Sequence, residues 1–402
     1  MGTAGVRRRK ICVVTTSRAD FGLLRGLMKA IQSDRDLRLQ VIASGMHLAR
    51  KFGSTWRDIE LEGFKINRKV DLRLKGDSSL ENLKSIARGL EGFGASFSEL
   101  RPEIVVLLGD RFELLAPAIS AMMLQIPTAH IHGGELSEGA IDDSVRHAVT
   151  KMASIHFAAT ETYRRRIIQM GESPKRVFNF GAPGLDQIYG SNLMQRSELE
   201  KELGFDLRNP VALVTYHPAT RDPDSAESQV RSLVAAIRHS ELRAIFTMAN
   251  ADAQGALINS RLQAVCAKSP ARFMWAPHLG HRRYLSCLKY VAVMVGNSSS
   301  GLTEAPSFRL PVVNIGDRQR GRVRARNVID VVCTRAAILG GIQKAIAPRF
   351  RVSLRGMRNP YDRFRDGRTS ERIKEVLKNI PFDDDLQKKR FNDLGQRKSS
   401  HF

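Results

Sequence analysis

The sequence predicts an α/β protein with two consecutive Rossmann-like domains, because short apolar runs alternate with helical segments along most of its 402 residues. The alternation pauses at a breaker cluster, residues 181–184, and then restarts. The length agrees, since ~150 residues per domain gives two or three domains. We therefore expect two parallel sheets that face each other across a cleft, with ligands beyond the carboxyl ends of the strands.

In the first half, strands, loops and helices follow one another in that order. The first strand is predicted at 10–16, and a polar loop at 17–22 joins it to a helix whose apolar residues recur at helical spacing from 23 to 31. Further strands are predicted at 39–44, 104–108, 127–131 and 177–180. Glycine and polar residues follow these strands, which is where an open parallel sheet binds its ligand.

The second half repeats this alternation. A polar, helix-like stretch at 192–203 follows the breaker cluster, and strands are predicted at 211–216, 243–248, 272–275, 290–295, 312–315 and 328–332. We place the N-terminal domain at 1–187, the C-terminal domain at 188–358, a closing segment and helix that pack back on the N-terminal domain at 359–386, and a basic tail at 387–402. We interpret the tail as a solubilising segment.

Charge and cysteine content narrow the class of function. Lys and Arg outnumber Asp and Glu by 64 to 41, and the net charge of +23 favours an anionic partner: a nucleic acid, an anionic membrane or a phosphorylated small molecule. The four cysteines are scattered and form no CxxC pair, so neither a zinc site nor a disulfide framework is indicated. No apolar run approaches the ~18 residues of a membrane span. We therefore expect a cytoplasmic protein that does not contact a membrane.

The second half carries a cluster typical of phosphate binding. Residues 297–301 read Asn-Ser-Ser-Ser-Gly directly after a strand, and such small residues at a helix start expose N–H groups that bind phosphate. Simple N-capping by one serine is the alternative. Arg318 follows the next strand and suits bidentate phosphate recognition, whereas Arg320 and Arg322 fit a solvated basic loop equally well. No GxGxxG follows the first strand and no P-loop motif occurs, so dinucleotide and P-loop enzymes lose their main support.

The first half supplies acidic residues at strand ends. Asp110 follows the strand at 104–108, Glu135 ends the sequence HIHGGE, and Asp142 and Asp143 begin a helical segment. General acid/base chemistry on a sugar needs such groups, because a C–H proton must be removed and a leaving oxygen or water handled. Helix capping explains Asp142 equally well. His217, directly after the first strand of the second half, is a candidate acid, base or phosphate contact.

The histidines of the first half do not form a recognisable metal motif. The spacing HxHGGE differs from HExxH and from other common zinc spacings. For His147 and His156 a structural role is the better interpretation. We therefore expect no metal site.

Taken together, these motifs resemble the hydrolysing UDP-N-acetylglucosamine 2-epimerases of sialic-acid biosynthesis. The similarity extends over roughly residues 10–330 in family order. The segments that carry it are Ser17-Arg18-Ala19-Asp20-Phe21-Gly22, Ser44-Gly45-Met46-His47, Leu108-Gly109-Asp110-Arg111, HIHGGE with Asp142, Asp143, Arg146 and His147, Tyr216-His217-Pro218, GNSSSG with Glu304, and NIGDRQRGRVR.

The resemblance implies a glycosyltransferase-B-like architecture, with UDP held mainly by the second domain. It implies conversion of UDP-N-acetylglucosamine and water to N-acetylmannosamine and UDP through a 2-acetamidoglucal, without NAD, another cofactor or a metal, in a homodimer or homotetramer. The implied catalytic residues are Asp110, Glu135, Asp142, Asp143 and His217. The implied UDP contacts are Arg18, Ser298, Ser299, Glu304 and Arg318, and further substrate contacts are Asp20, His47, Arg111, His132 and Arg146.

Three alternatives remain open at this point. The same reaction on UDP-2,4-diacetamido-2,4,6-trideoxyglucose, a sugar of legionaminic-acid synthesis, uses the same motifs. A UDP-sugar glycosyltransferase shares the fold, but it needs an acceptor site. A nucleic-acid-binding protein would explain the charge, yet aromatic residues make up only 6% of the chain and are not interleaved with a basic strip, so no nucleic-acid partner is expected.

Overall fold

The computed structural model describes residues 8–50, 53–74, 78–138, 141–190, 193–217, 226–249, 255–277 and 279–393. Three parts of the predictions lie outside these residues: Asn192 at the start of the predicted helix-like stretch, Pro218, and 394–402 of the basic tail. The chain divides into two compact units. Met1–Glu135, Ala140–Gln187 and Arg363–Phe402 form the first, and Leu136–Gly139 and Ile188–Asp362 form the second.

The first unit contains a parallel, seven-stranded sheet. Its strands are β1 (Arg9–Thr15), β2 (Leu37–Ser44), β3 (Arg68–Val70), β4 (Ile104–Leu108), β5 (Thr128–Ile131), β6 (Ile155–Ala158) and β7 (Val177–Asn179). They lie in the order β3-β2-β1-β4-β5-β6-β7, so the strand order reverses between β1 and β4. Such a switch point is where an open α/β sheet binds ligands, beyond the carboxyl ends of its strands.

Two separate cores lie on the two faces of this sheet. The side chains of β1 alternate between them: Ile11 and Val13 belong to one core, and Cys12 and Val14 belong to the other. The helices of this part of the chain are α1 (Arg18–Ser33), α2 (Trp56–Leu61), α3 (Ser79–Leu100), α4 (Leu115–Met123), α5 (Ile141–Met152), α6 (Glu161–Gln169) and α7 (Asp186–Gly190). Because both faces are covered, the strands need apolar residues on both sides, as the sequence has them.

The second unit contains a parallel, six-stranded sheet in the order β10-β9-β8-β11-β12-β13. Its strands are β8 (Val211–Thr215), β9 (Arg243–Thr247), β10 (Phe273–Ala276), β11 (Val293–Gly296), β12 (Val312–Ile315) and β13 (Val328–Val331). Its helices are α8 (Arg196–Leu203), α9 (Ala226–His239), α10 (Gly255–Lys268), α11 (Gly280–Tyr290), α12 (Ser300–Thr303), α13 (Arg335–Ile346) and α14 (Pro348–Ser353). Two apolar cores again flank the sheet.

The end of the chain returns to the first unit. Helices α15 (Thr369–Asn379) and α16 (Asp384–Gln387) follow the second unit in sequence. Ile373 and Leu377 of α15 lie in the same core as Ile11 of β1. The Arg9 guanidinium donates hydrogen bonds to the carbonyl oxygens of Leu377, at 2.8 Å, and Ile380, at 3.0 Å. Strand β1 and helix α15 therefore stabilise each other.

The predicted fold class is confirmed, since both halves form parallel α/β sheets of Rossmann type. The structure contains two strands that the sequence analysis did not predict, β3 and β6. The predicted strand at 290–295 starts too early, because Tyr290 is the last residue of α11 and the strand begins at Val293. None of the helices in the described ranges combines the length and hydropathy that a membrane crossing requires.

Candidate active site

A buried arginine joins two of the predicted carboxylates in the first unit. Asp110 lies just beyond β4, and Asp143 lies in the first turn of α5. Arg146, one helical turn after Asp143, has a side chain that is only 1% exposed. Its guanidinium forms an ion pair with Asp110, donates to Asp143 Oδ1 at 3.0 Å and donates to the Glu135 carbonyl oxygen at 3.0 Å. One cation therefore holds two carboxylates of the sheet edge close together without net repulsion.

The loop after β5 brings Glu135 beside His132. The Nδ1 atom of His132 lies 2.6 Å from Glu135 Oε1, and both side chains are largely buried. His132 has a φ of +66°, in the left-handed region that non-glycine residues rarely adopt. The loop also passes close to its neighbours, since a Cβ atom on Gly134 would lie 2.5 Å from the Tyr163 carbonyl oxygen. The packing of this loop against α6 therefore fixes the backbone that carries His132 and Glu135.

The other two groups of α5 are more exposed. Asp142 is half-buried beside Asp143 in the first turn of the helix, where a carboxylate also interacts favourably with the helix dipole. His147 Nε2 lies 3.6 Å from Asp143 Oδ2. Burial lowers the pKa of His147, and the charge of Asp143 opposes that shift. His147, for which a structural role was predicted, thus lies next to the carboxylate cluster.

The loop between β1 and α1 is held by Asp20. Its carboxylate accepts hydrogen bonds from the Thr16 backbone N–H at 2.9 Å, from the Thr16 hydroxyl at 2.7 Å and from the Ser17 backbone N–H. His47 is fully buried, with Nε2 3.0 Å from the Thr15 hydroxyl oxygen. Burial lowers the pKa of His47, while the nearby Asp20 charge raises it. These contacts show Asp20 and His47 shaping the loop itself.

Arg18 and Arg111, at the same sheet edge, differ in how strongly nearby carboxylates hold their side chains. Arg18, in the first turn of α1, has a half-exposed side chain whose Nε lies 3.6 Å from Asp58 Oδ2. Arg111 donates to the fully buried Glu113 carboxylate at 3.0 Å. Arg18 is therefore the more accessible cation for an anionic ligand.

Asn297 organises the loop cluster of the second unit. Its side chain accepts from the His217 backbone N–H at 2.8 Å and donates to the His217 carbonyl oxygen at 2.9 Å. Its own carbonyl oxygen accepts from the Gln319 amide at 2.8 Å and lies 3.5 Å from the Arg318 guanidinium. The preceding residue, Gly296, has a φ of +139°, and a Cβ atom there would lie 1.9 Å from the Thr215 carbonyl oxygen. Only glycine fits this position.

The ends of β8, β11 and β12 thus come together around Asn297. Burial and, second to it, the charge of Arg318 lower the pKa of His217 to about 3, so this imidazole is neutral at physiological pH. Ser298 accepts from the Ser300 N–H at 3.4 Å, whereas Ser299 makes no capping hydrogen bond with its side chain in the described part of the chain. Helix α12 ends at Thr303, so Glu304 follows it and does not continue a longer helix.

The predicted site residues therefore fall into two groups, one in each unit. The structure brings Asp110, Asp143, Arg146, Glu135 and His132 together in the first, and it brings His217, Ser298 and Arg318 around Asn297 in the second. Across the described residues, no three histidine, cysteine or acidic side chains are grouped as metal ligands.

Four residues that support these groups were not among the predicted site residues. Asn297 stands inside the motif at 297–301, His130 is the first residue of HIHGGE, and Glu113 stands two residues after Arg111, so these three positions carried a signal. Thr150 carried none. The His130 ring links the Gly109 carbonyl oxygen, 2.8 Å from Nε2, to the Thr150 hydroxyl, 3.1 Å from Nδ1, and burial lowers its pKa to about 3.

Comparison with known proteins assigns the chain to a family. Residues 29–378 match the family model described as UDP-N-acetylglucosamine 2-epimerase. The hydrolysing GDP/UDP-N,N′-diacetylbacillosamine 2-epimerase of Campylobacter jejuni is 43% identical over 326 residues, which cover 80% of this chain and 84% of that protein. The hydrolysing UDP-N,N′-diacetylbacillosamine 2-epimerase of Legionella pneumophila is 40% identical, with coverages of 93% and 96%.

A solved structure supports the fold. The UDP-GlcNAc 2-epimerase from Neisseria meningitidis, crystallised with UDP-GlcNAc, superimposes with a TM-score of 0.78 and 16% identity, covering 92% of this chain and 99% of that chain. At this identity the match concerns the architecture of the two sheets.

Proposed function

Since this chain belongs to the UDP-N-acetylglucosamine 2-epimerase family, we propose that it is a hydrolysing 2-epimerase acting on UDP-N,N′-diacetylbacillosamine. The products are UDP and the free sugar with inverted configuration at C2. The sugar assignment rests on the Campylobacter and Legionella relatives. It favours the substrate that the sequence analysis gave as the alternative over UDP-N-acetylglucosamine, which was the main expectation.

The arrangement of Asp110, Asp143 and Arg146 carries the proposed chemistry. The C2–H bond has no adjacent carbonyl, so its proton is removed only as the C1–O bond breaks and positive charge develops on the ring. A carboxylate takes the C2 proton, the C–H electrons form the C1=C2 double bond, and the C1–O electrons leave with UDP. The intermediate is a 2-acetamidoglucal.

Hydration of the intermediate completes the reaction. Water adds its oxygen to C1, and a proton returns to C2 from the opposite face of the ring. Removal and return on opposite faces require two acid/base groups, and the first unit holds two carboxylates on one guanidinium. We assign these roles to Asp110 and Asp143, with the Glu135–His132 pair handling the proton of the attacking water and Asp142 stabilising ring charge.

The loop cluster of the second unit is assigned to UDP. Arg318 and the serines at 298 and 299 supply a cation and hydrogen-bond donors for the diphosphate, whose departure they assist. The neutral His217 donates to a phosphate oxygen, and Glu304 and Arg18 complete the UDP contacts. Binding of the leaving group and chemistry on the sugar are therefore assigned to different groups of residues.

The assay offers the enzyme both sugars in deuterated water. We expect UDP and a free C2-epimer carrying deuterium at C2, with kcat/KM at least about tenfold higher for UDP-N,N′-diacetylbacillosamine than for UDP-N-acetylglucosamine, since a site built for an added polar group discriminates by at least that factor. NMR identifies the sugar and the label. Asp143→Asn is the inactive variant, and Asp385→Asn, at an exposed carboxylate, is the matched control.

Two results would overturn these assignments. Faster turnover of UDP-N-acetylglucosamine would restore the substrate first expected from the sequence. Product with no deuterium at C2 would exclude the elimination and hydration steps.

A further inference from the structure

The described part of the basic tail is bound to the first unit. Residues 388–393, named here the C-terminal strap, follow α16. The Lys389 ammonium lies 2.7 Å from Glu172 Oε2 and donates to the carbonyl oxygens of Lys151, at 2.5 Å, and Ala153, at 2.6 Å. All three donors of the ammonium group are thus used. The strap is therefore more than the solubilising segment that composition indicated.

Glu172 makes this contact specific. Its side chain is only 4% exposed, and a carboxylate buried to that degree is costly unless cations and donors surround it. Its partners besides Lys389 are the Lys151 ammonium, 2.6 Å from Oε1, and the fully buried His156, whose Nε2 lies 3.0 Å from Oε2. Loss of Lys389 would remove a cation from a buried anion.

A second contact fixes the strap next to Lys389. The Asn392 backbone N–H donates to the Gly171 carbonyl oxygen at 2.8 Å. The Phe391 ring lies against Gly171, where a Cβ atom would come within 2.2 Å of it, and Gly171 has a φ of +88°. The Lys151 ammonium lies 5.0 Å from the centre of the Phe391 ring. Backbone, ring and charge contacts therefore hold the strap in one place.

The anchored carbonyl groups terminate the helix that carries the carboxylate cluster. Lys151 and Ala153 lie at the C-terminal end of α5, where carbonyl oxygens lack partners within the helix and a cation is favourable. Asp143 lies in the first turn of the same helix, and Arg146 lies near its middle. Thr150, in the last turn, also contacts His130, which binds the Gly109 carbonyl oxygen next to Asp110. The position of α5 therefore determines where Asp143 and Arg146 stand relative to Asp110.

We propose that Lys389 is a positioning residue for the carboxylate cluster, acting through the C-terminal end of α5. This inference rests on the proposed function for its kinetic consequence. Lys389 lies beyond residues 29–378, the range that matches the family model.

The test compares Lys389→Met with Lys388→Met in the full-length chain. Lys388 is the matched control, because its side chain is 69% exposed and its ammonium group pairs only with the exposed Asp384 among the described residues. We expect Lys389→Met to lower kcat by about tenfold or more, because small displacements of acid/base groups cost rates of that order. Lys389→Arg should recover at least a third of the wild-type kcat. UDP affinity, measured by calorimetry, should change less than about twofold in all three variants, and hydrogen exchange in α5 should speed up only in Lys389→Met.

An unchanged kcat in Lys389→Met, measured below its unfolding transition, would refute the positioning role even if the melting temperature falls. A parallel loss of UDP affinity would refute the assignment to the carboxylate cluster. If the wild-type enzyme turns over neither UDP-sugar, the proposed function fails, while hydrogen exchange still tests whether Lys389 anchors α5: unchanged exchange would overturn that anchoring.

Discussion

Replacing Arg146 by lysine tests whether the two carboxylates depend on one buried guanidinium. The arginine donates to Asp143 and to the Glu135 carbonyl oxygen through Nη1, and it pairs with Asp110 through Nη2. Lysine keeps the positive charge, but its single ammonium nitrogen cannot reproduce the planar, spread donors of arginine. We expect the ammonium group to stay with Asp110 and to lose the two contacts that Nη1 makes, to Asp143 and to the Glu135 carbonyl oxygen.

The size of the effect follows from the burial of the partners. A hydrogen bond to a charged group contributes about 1.5 to 3 kcal/mol. Both Asp110 and Asp143 have side chains that are 25% exposed, so water replaces part of each lost contact and the lower end of that range applies. We therefore expect the free energy of unfolding to fall by about 3 kcal/mol for the two lost contacts. Turnover should fall at least about a hundredfold, because displaced acid/base groups lose that order of rate.

Three measurements check this expectation. Urea unfolding gives the change in stability, steady-state kinetics gives kcat, and calorimetry gives the affinity for UDP, which should stay within about twofold of wild type. Arg165→Lys is the matched control, because Arg165 on α6 is 79% exposed. Wild-type turnover in Arg146→Lys, or a loss of UDP affinity with kcat retained, would refute the reasoning.

Three further predictions concern the loop cluster of the second unit, the pH dependence of stability, and Gly296. Arg318→Ala should weaken UDP binding, measured by calorimetry, by about tenfold to a hundredfold. Asp110→Asn should keep its UDP affinity, and its turnover in steady-state kinetics should fall by at least about a hundredfold. The reverse pattern would exchange the assignments of UDP binding and acid/base chemistry between the two units. Burial alone would raise the pKa of Glu172, but hydrogen bonds from its imidazole and ammonium partners outweigh it and lower the pKa to about 2. The contribution of ionised Glu172 to stability is therefore complete above its unfolded pKa of ~4.3 and is lost as the pH falls towards 2. In urea unfolding, Glu172→Gln should therefore lose more stability relative to wild type at pH 7 than at pH 3. A loss of stability that does not change with pH would contradict this. Gly296→Ala should destabilise the protein by several kcal/mol and abolish UDP binding, because its Cβ atom would collide with a backbone carbonyl group. Gly340→Ala in α13 is the control: no atom lies within 4 Å of the added Cβ, so this variant should be more stable than wild type by about 0.5–1 kcal/mol. Equal melting temperatures for the two variants would count against the argument.

The sequence was most informative where strands are apolar on both faces. β4 was predicted with its observed bounds, because all of its residues are apolar and buried. β3 was missed, since Arg68–Val70 is a short, polar edge strand. β6 was missed because His156 interrupts its apolar pattern. That histidine is tolerated because Glu172, sixteen residues later, binds its ring, and such a partner cannot be read from local periodicity.

The same distinction applies to the candidate site. Sequence motifs indicated the residue types at each strand end, because polar residues after buried strands stand out. They did not indicate that Arg146 is buried and pairs with Asp110, which is 36 residues away. Lys389 lies farther still from its partners, and only the folded chain brings its ammonium group to Glu172. Partners distant in sequence are fixed by packing, not by spacing.

The first unit is built from both ends of the chain, and this has a consequence for folding during synthesis. Ile373, Leu377 and Leu386 belong to the core that β1 helps to form, yet the ribosome makes them after the whole of the second unit. Domains fold as units as they emerge, and exposed apolar surface invites aggregation. Both segments of the second unit, Leu136–Gly139 and Ile188–Asp362, precede α15 in the chain, so this unit can fold before the core of the first unit is complete. Until α15 is synthesised, the N-terminal half presents the apolar face that Ile373 and Leu377 later cover, so this half is exposed to aggregation while the second unit is being made.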